Sequence, residues 1–419
     1  SHHPDSESRY NWLNRSVLIE IFEFREVKMA VYNRISEFHD DMTRIRRDIH
    51  SHPETAFEEE RTAKVVADEL ESYGVEVHKG LAKTGVVGTL KVGTGSKKIG
   101  LRADMDALDL HELNEFDHKS RNEGKMHGCG HDGHTTMLLG AARYLAETKN
   151  FDGTVHFIFQ PAEENVAGAR VMVKDGLFEK FNCEAVYGMH NSPGLPVGQF
   201  QVNPGPMCAS ADFFEVKITG VGAHGAFPHQ GNDPVVVAAH MITSFQSIAA
   251  RRTDPLDSAV ISVTQVHAGH TSNVIPEEAI LSGTTRALKV EIQDLIEREM
   301  RQIAEGIGQT FGAQIEFSYD RRYLPTVNTV EETDFAAQAA AEIVGEMQIL
   351  RDEPPVMGAE DFSWMLAERP GCYICIGNGV EGGPGGCHVH NPNYDFNDEI
   401  LTIGASYWSK LVEMQLAAK

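Results

Sequence analysis

From Glu60 onward apolar residues recur every three to four positions (Ala63, Val66, Leu70, Tyr73) and stop at Gly74, which predicts an amphipathic helix ended by a glycine. Short apolar runs of strand length follow at Val86 to Val92 and Ile99 to Ala103. The alternation continues with a helix from about His134 to Thr148, a strand Thr154 to Gln160, a helix near Ala167 to Asp175 and a strand Ala185 to Met189. Helices alternating with strands predict an α/β fold with a largely parallel sheet.

After about Ser210 the order changes to strand Asp212 to Thr219, helix from Asp233, strands Ala259 to Val266 and Ala279 to Leu288, helix Ile292 to Ile307, and strand Gln314 to Tyr319. This β-α-β-β-α-β order predicts a ferredoxin-like α+β unit inserted at 210–323, so that 29–209 and 324–419 form one discontinuous domain around it. The first helix of the insert has an Asp233 cap followed by Pro234. The returning segment ends in a helix capped by Asp398, with Ile400, Ile403, Tyr407, Leu411 and Met414 on one stripe. The glycine-rich stretch 377–386 before it reads either as a surface loop or as a hinge or active-site loop, because His388 and His390 follow closely. Residues 1–28 read as a leader or vector-derived extension outside the fold, with Met29 a natural start.

A chain of 419 residues, 41% hydrophobic and 23% charged, has the composition of a folded globular protein of two or three domains. Its net charge of -24 repels phosphate backbones and anionic lipid, which argues against nucleic acid and membrane as partners. No stretch of about 18 uninterrupted apolar residues exists. Six scattered cysteines are too few for a disulfide scaffold and point to a reducing cytoplasm. Cys372 and Cys375 lie in an apolar run of strand length, where positions three apart face opposite sides, so a metal or redox pair there is not expected.

Chemistry concentrates where strands end. Met126-His-Gly-Cys-Gly-His-Asp-Gly-His134 places one thiol and three imidazoles between glycines ahead of a helix, so that Cys129 and His131 can present a thiolate and an imidazole to one cation. The strand at 154–160 delivers Glu163 and Glu164 side by side, two acids able to divide ligand and base roles. The next strand ends at His190, and Arg102-Ala-Asp104-Met-Asp106 ends in acids. Each alone is an ordinary turn acid or a satisfied histidine; four strand ends or loops converging on Cys, His, Glu and Asp are not.

These segments, together with Gly222-Ala-His224, Asn273-Val-Ile-Pro276, Gly358-Ala-Glu-Asp-Phe362 and His390-Asn-Pro-Asn-Tyr-Asp-Phe396, resemble the aminoacylase and carboxypeptidase family of binuclear metallopeptidases. Within it they are most similar to the amidohydrolase branch of hippurate hydrolases, N-acyl-amino-acid amidohydrolases and auxin-conjugate hydrolases, from about residue 37 to the C-terminus. The resemblance implies a mixed-sheet zinc-peptidase-like catalytic domain with an inserted ferredoxin-like dimerisation or lid domain. It implies two divalent ions per subunit, zinc or manganese with cobalt or nickel as options. Cys129 would bridge them, His131 and His190 would hold one, and Glu164 and His390 the other. Glu163 would be the general base. Where many relatives have His-x-Asp, this chain has Arg102-Ala-Asp104, so His131 replaces the missing histidine and Asp104 stands behind the ligands. In the insert, His224 would stabilise the oxyanion, sometimes across a homodimer or larger homo-oligomer, while Asn273, Arg286 and Gly358 would assist substrate binding.

The expected substrate is a small N-acyl amino acid, split into a carboxylic acid and an amino acid. Three alternatives stay open on the residues alone: a dipeptidase or aminopeptidase on the same scaffold, a hydrolase with Cys129 as nucleophile, and a metal-binding protein without activity. The first needs a group that recognises a free ammonium, and none is evident.

Overall fold

The computed structural model describes residues 29–164 and 166–418; the leader expected at 1–28 lies outside the described residues. An eight-stranded sheet runs in the spatial order Glu76–Leu81, Gly85–Val92, Gly153–Gln160, Lys98–Asp104, Ala185–Pro193, Gly371–Gly379, Phe200–Gln201 and Ile349–Leu350. Its central four strands are parallel. The flanks are mixed, because Glu76–Leu81 and Gly85–Val92 close as a hairpin and Phe200–Gln201 runs against Gly371–Gly379. The parallel arrangement read from the alternation therefore holds for the centre only, since a tight hairpin needs no crossover helix.

Successive residues of Gly153–Gln160 divide between two cores. Phe157 and Phe159 pack with Leu138, Leu145, Tyr407 and Trp408, while Ile158 packs with Met172, Leu177 and Phe178. Helices thus cover both faces, and every residue of the strand is buried, its polar Thr154, His156 and Gln160 included. The helix expected from His134 begins three residues earlier, at His131, because Gly130 in the left-handed region (φ 95°) turns the chain straight into it. The last helix spans Leu401–Gln415 behind a short 3-10 turn. Asn397 caps that turn by accepting the Glu399 N–H at 3.1 Å, and Asp398 instead pairs with Arg46 and Arg47.

The insert forms a four-stranded antiparallel sheet in the order Ala259–Ala268, Glu278–Ala287, Ala211–Thr219, Gln314–Tyr323, the ferredoxin-like arrangement. Helices Pro234–Ser247 and Val290–Phe311 pack on it around Phe214, Val216, Met241, Phe245, Leu281, Ile296 and Met300, a core of its own. The Asp233 carboxylate caps the first of these by accepting the Val235 N–H at 2.9 Å. Ala211 and Tyr323 are register partners, so the chains that enter and leave this lid run side by side.

Candidate active site

In an open α/β sheet, side chains with chemistry gather beyond the carboxyl ends of the parallel strands. Here Asp104 ends one strand, Gln160 leads from another into Glu163 and Glu164, and His190 lies in the last half of Ala185–Pro193, which extends past Met189. The N-terminus of His131–Thr148 brings His131 to the same edge, with Cys129 just before it. Gly130 is required there, because a Cβ would fall 2.2 Å from Asn191 Oδ1 and 2.6 Å from Tyr394 Oη. Ala162 and His390 are non-glycine residues in the left-handed region (φ 57° and 62°), each costing roughly 1–2 kcal/mol. Their neighbours hold them: Ala162 N–H donates to Glu59 Oε1 at 2.9 Å, and His390 N–H donates to the Gly128 carbonyl at 2.7 Å.

Two groups of donor atoms form around one sulfur. Cys129, His131 and His190 present ligand atoms within 4.8 Å of one another, and so do Cys129, Glu164 and His390. Cys129 Sγ lies 3.4 Å from His190 Nε2, and His390 Nε2 lies 3.1 Å from Glu164 Oε1. The His131 Nδ1 sits 2.9 Å from the Asp106 carbonyl and 3.2 Å from its carboxylate, which fixes the proton on Nδ1. His131 Nε2 is buried without a hydrogen-bond partner, its lone pair free for a cation. His190 is oriented the same way, with Nδ1 2.7 Å from the Asn191 carbonyl. Burial pushes the Cys129 thiol above its ordinary value and Glu164 adds to this, so a thiolate at this place requires positive charge beside it. An orphaned imidazole nitrogen and a buried sulfur among imidazoles and a carboxylate fit two divalent ions.

Asp104 and His134 form a third cluster with His131, but they satisfy each other. Asp104 accepts from Arg102 at 2.8 Å and from His134 Nδ1 at 2.6 Å, while His134 Nε2 accepts the Asn191 N–H at 3.0 Å. Asp104 is thus engaged by its neighbours, with a carboxylate oxygen 3.7 Å from His131 Nε2. Glu163 is buried, and burial together with the carboxylates of Glu360, Glu164 and Asp361 pushes its pKa well above the ordinary range. One of its oxygens accepts the Asp361 N–H at 3.3 Å.

Beneath Glu163 lies a network that sequence reasoning did not identify. The fully buried Arg102 guanidinium donates to Gln160 at 2.7 Å, Glu360 at 2.9 Å and Asp361 at 3.0 Å, in addition to Asp104. Its only signal in the chain is an arginine inside an apolar strand and an acidic pair 258 residues later, beside Gly358. Gly358 itself is exposed, its carbonyl accepting the Ala209 N–H at 2.9 Å.

On the lid, the two-residue strand Ala223–His224 pairs with Val274–Ile275, and Gly225 N–H donates to the Asn273 carbonyl at 2.8 Å. His224 and Asn273 are thus brought together, both exposed. Arg286 is half-buried on a neighbouring strand and donates to Thr284 and to the Thr285 carbonyl. Among the described residues, no hydrogen bond or ion pair joins these three to the Cys129 cluster.

Residues 100–414 match the family described as peptidase family M20/M25/M40. The chain is 41% identical over 383 residues to hippurate hydrolase from Campylobacter jejuni, covering 91% of this chain and 98% of that one. It is 38% identical to N-acetylcysteine deacetylase from Bacillus subtilis (90% and 98% covered) and 38% identical to IAA-amino acid hydrolase ILR1-like 4 from Arabidopsis thaliana (93% and 89%). A solved Bacillus subtilis structure described as a dinuclear metal binding peptidase superposes with a TM-score of 0.78 at 34% identity, covering 91% of this chain and 99% of that one. With a family match across most of its length and relatives of this identity over nearly their whole chains, the protein belongs to peptidase family M20/M25/M40.

Proposed function

We propose that this chain is a binuclear metal-dependent amidohydrolase that cleaves the amide of N-acyl amino acids to a carboxylic acid and an amino acid. The observation that carries this reading is the pair of three-residue donor groups sharing Cys129, with the buried carboxylate of Glu163 beside them. Cys129, His131 and His190 would hold one ion, and Cys129, Glu164 and His390 the other. A thiolate and imidazoles suit zinc, the added carboxylate admits manganese, and cobalt or nickel can also occupy such donors. When bound, two such ions acidify a shared water and polarise the scissile carbonyl.

The chain's own residues do the rest. Glu163 takes the proton of the attacking water and returns it to the departing nitrogen, which makes an amine a viable leaving group. Asp106 keeps His131 in its Nδ1–H form, and Arg102 holds the loop carrying Asp361, whose N–H orients Glu163. His224 on the lid stabilises the oxyanion, with Asn273, Arg286 and Gly358 contacting the substrate. Hippurate, N-acetylcysteine and IAA-amino acids, the compounds named in the relatives, set the range of acyl groups to try.

The lid, taken as 210–323 between 29–209 and 324–419, would also be the homodimer surface. Its edge strand Ala259–Ala268 has a free side, with Val260 and Val266 exposed, and Val235 and Val236 are exposed on the helix Pro234–Ser247. Among the described residues no helix is long and apolar enough to cross a membrane, and all six cysteines are unpaired, which suits a reducing cytoplasm.

The test is release of amino acid from benzoyl, acetyl, indole-acetyl and long-chain N-acyl amino acids and from dipeptides, with Zn²⁺, Mn²⁺, Co²⁺ or Ni²⁺ added back to chelated protein. Turnover should vanish on chelation and return with metal, and Cys129→Ala should lose both metal and activity. Full turnover by metal-free protein would sink the reading.

A further inference from the structure

Among the groups with no role so far is a lid residue that touches the catalytic loop. Tyr323 closes the strand Gln314–Tyr323, and its hydroxyl donates to the backbone carbonyl of Glu163 at 2.7 Å, with both residues buried. The register between this strand and Ala211–Thr219 shifts between Arg321 and Tyr323, and the shift sets Tyr323 opposite Ala211. Ala211 and Tyr323 then pack with Ala167, at the far end of the Glu163 loop, and with Ala359 of the Gly358 segment. The two chains that carry the lid are therefore seated on the loops that form the catalytic edge.

The loop they touch is strained and held at several points. Ala162, immediately before Glu163, has φ 57°, and Ala167 has the same value. Gly168 N–H donates to the Ala162 carbonyl at 2.8 Å, Glu164 N–H donates to Asp106 at 2.8 Å, and Ala162 N–H donates to Glu59, all from within the catalytic domain. The hydroxyl of Tyr323 adds a restraint from the lid, at the peptide of Glu163 itself. Left-handed turns at non-glycine residues persist only where the surroundings hold them, so losing one restraint lets the loop relax and swings the Glu163 carboxylate.

We infer that Tyr323 is a positioning residue: its hydroxyl fixes the peptide of Glu163, so that the seating of the lid hinge sets the direction of the general base. This rests on the reading of Glu163 as the base. The chemistry belongs to the carboxylate, and Tyr323 acts by holding its main chain. Burial, then the carboxylates around it, keeps the phenol protonated and able to donate.

Tyr323→Phe removes the hydroxyl and leaves the ring against Ala167, Ala211 and Ala359. With metal content and melting temperature followed throughout, kcat should fall about tenfold while KM stays within about twofold, both ions are retained, and the melting temperature changes little. In a Glu163→Gln background, whose own residual rate is measurable by single turnover, Tyr323→Phe should cause no further loss, because the group it positions is gone. Trp364→Phe serves as a control: it removes the Nε1–H bond to the Arg322 carbonyl, loosening the same hinge one residue away without touching Glu163, and should leave kcat unchanged. The inference is overturned by an unchanged kcat in Tyr323→Phe, by an equal fold-loss in the Glu163→Gln background, or by an equal loss in Trp364→Phe. Native turnover in Glu163→Gln alone would instead overturn the reading of the base, a separate outcome.

Discussion

Glu163 and Glu164 are adjacent in the chain and face different surroundings. Glu164 reaches His390 and the sulfur group, while Glu163 points to the Asp361 N–H above a bed of carboxylates that share the one guanidinium of Arg102. Glu163→Gln should therefore retain both ions and lose several orders of magnitude in kcat, since it removes a proton shuttle and leaves the donors intact. Glu164→Gln should lose metal, read by elemental analysis; the reverse pattern would exchange the two roles. The candidate donors Cys129, His131, Glu164 and His190 are legible in the sequence, because they sit in short loops or at strand ends whose glycines and proline announce a turn. Arg102, Glu360 and Asp361 are not. Their significance comes from meeting across 258 residues, and an acidic pair in so acidic a chain carries no local mark of burial.

At the scale of elements, the apolar period of Glu60–Ser72 and of Val290–Phe311 is plain in the sequence, while a helix whose buried face mixes apolar and charged residues hides its period. The helix His39–His50 is of this kind: its apolar stripe, Met42, Ile45 and Ile49, shares the buried face with Arg46 and His50. Those two are inside because Asp132, Asp395, Asp398 and Glu112 are there to receive them. His50 donates from Nδ1 to Asp132 at 2.9 Å and meets Glu112 from Nε2 at 3.1 Å. Burial lowers its pKa, but the bonds to Asp132 and Glu112 outweigh that and raise it to about 9. A folded pKa above the unfolded value of about 6.5 gives stability that is complete below pH 6.5 and lost as pH rises through about 9, roughly 3 kcal/mol in all. Denaturant unfolding of metal-saturated protein between pH 6 and 10 should show this decline, and His50→Gln should flatten it. Parallel curves for the two proteins would mean that His50 is neutral in the fold.

For the whole molecule, the proposed roles of His224 and Glu163 lie on different domains, and the decisive experiment mixes subunits. Dimers re-formed from inactive His224→Ala and inactive Glu163→Gln chains should regain part of the native turnover if the histidine acts across the interface, since one hybrid site then carries neither defect. No recovery would place His224 in its own subunit's site, reached by closure of the lid. The inserted position of that lid also imposes an order on biosynthesis. Cys129, His131, Glu164 and His190 all precede it, while His390 follows His190 by 200 residues. At about 5–20 residues per second, the ribosome adds His390 roughly 10–40 s after His190. The strand Gly371–Gly379, which fits between Ala185–Pro193 and Phe200–Gln201, is likewise made after the lid. The nascent chain thus carries the proposed donors Cys129, His131, Glu164 and His190 well before His390, so the second proposed donor group is completed only after the whole lid has been made.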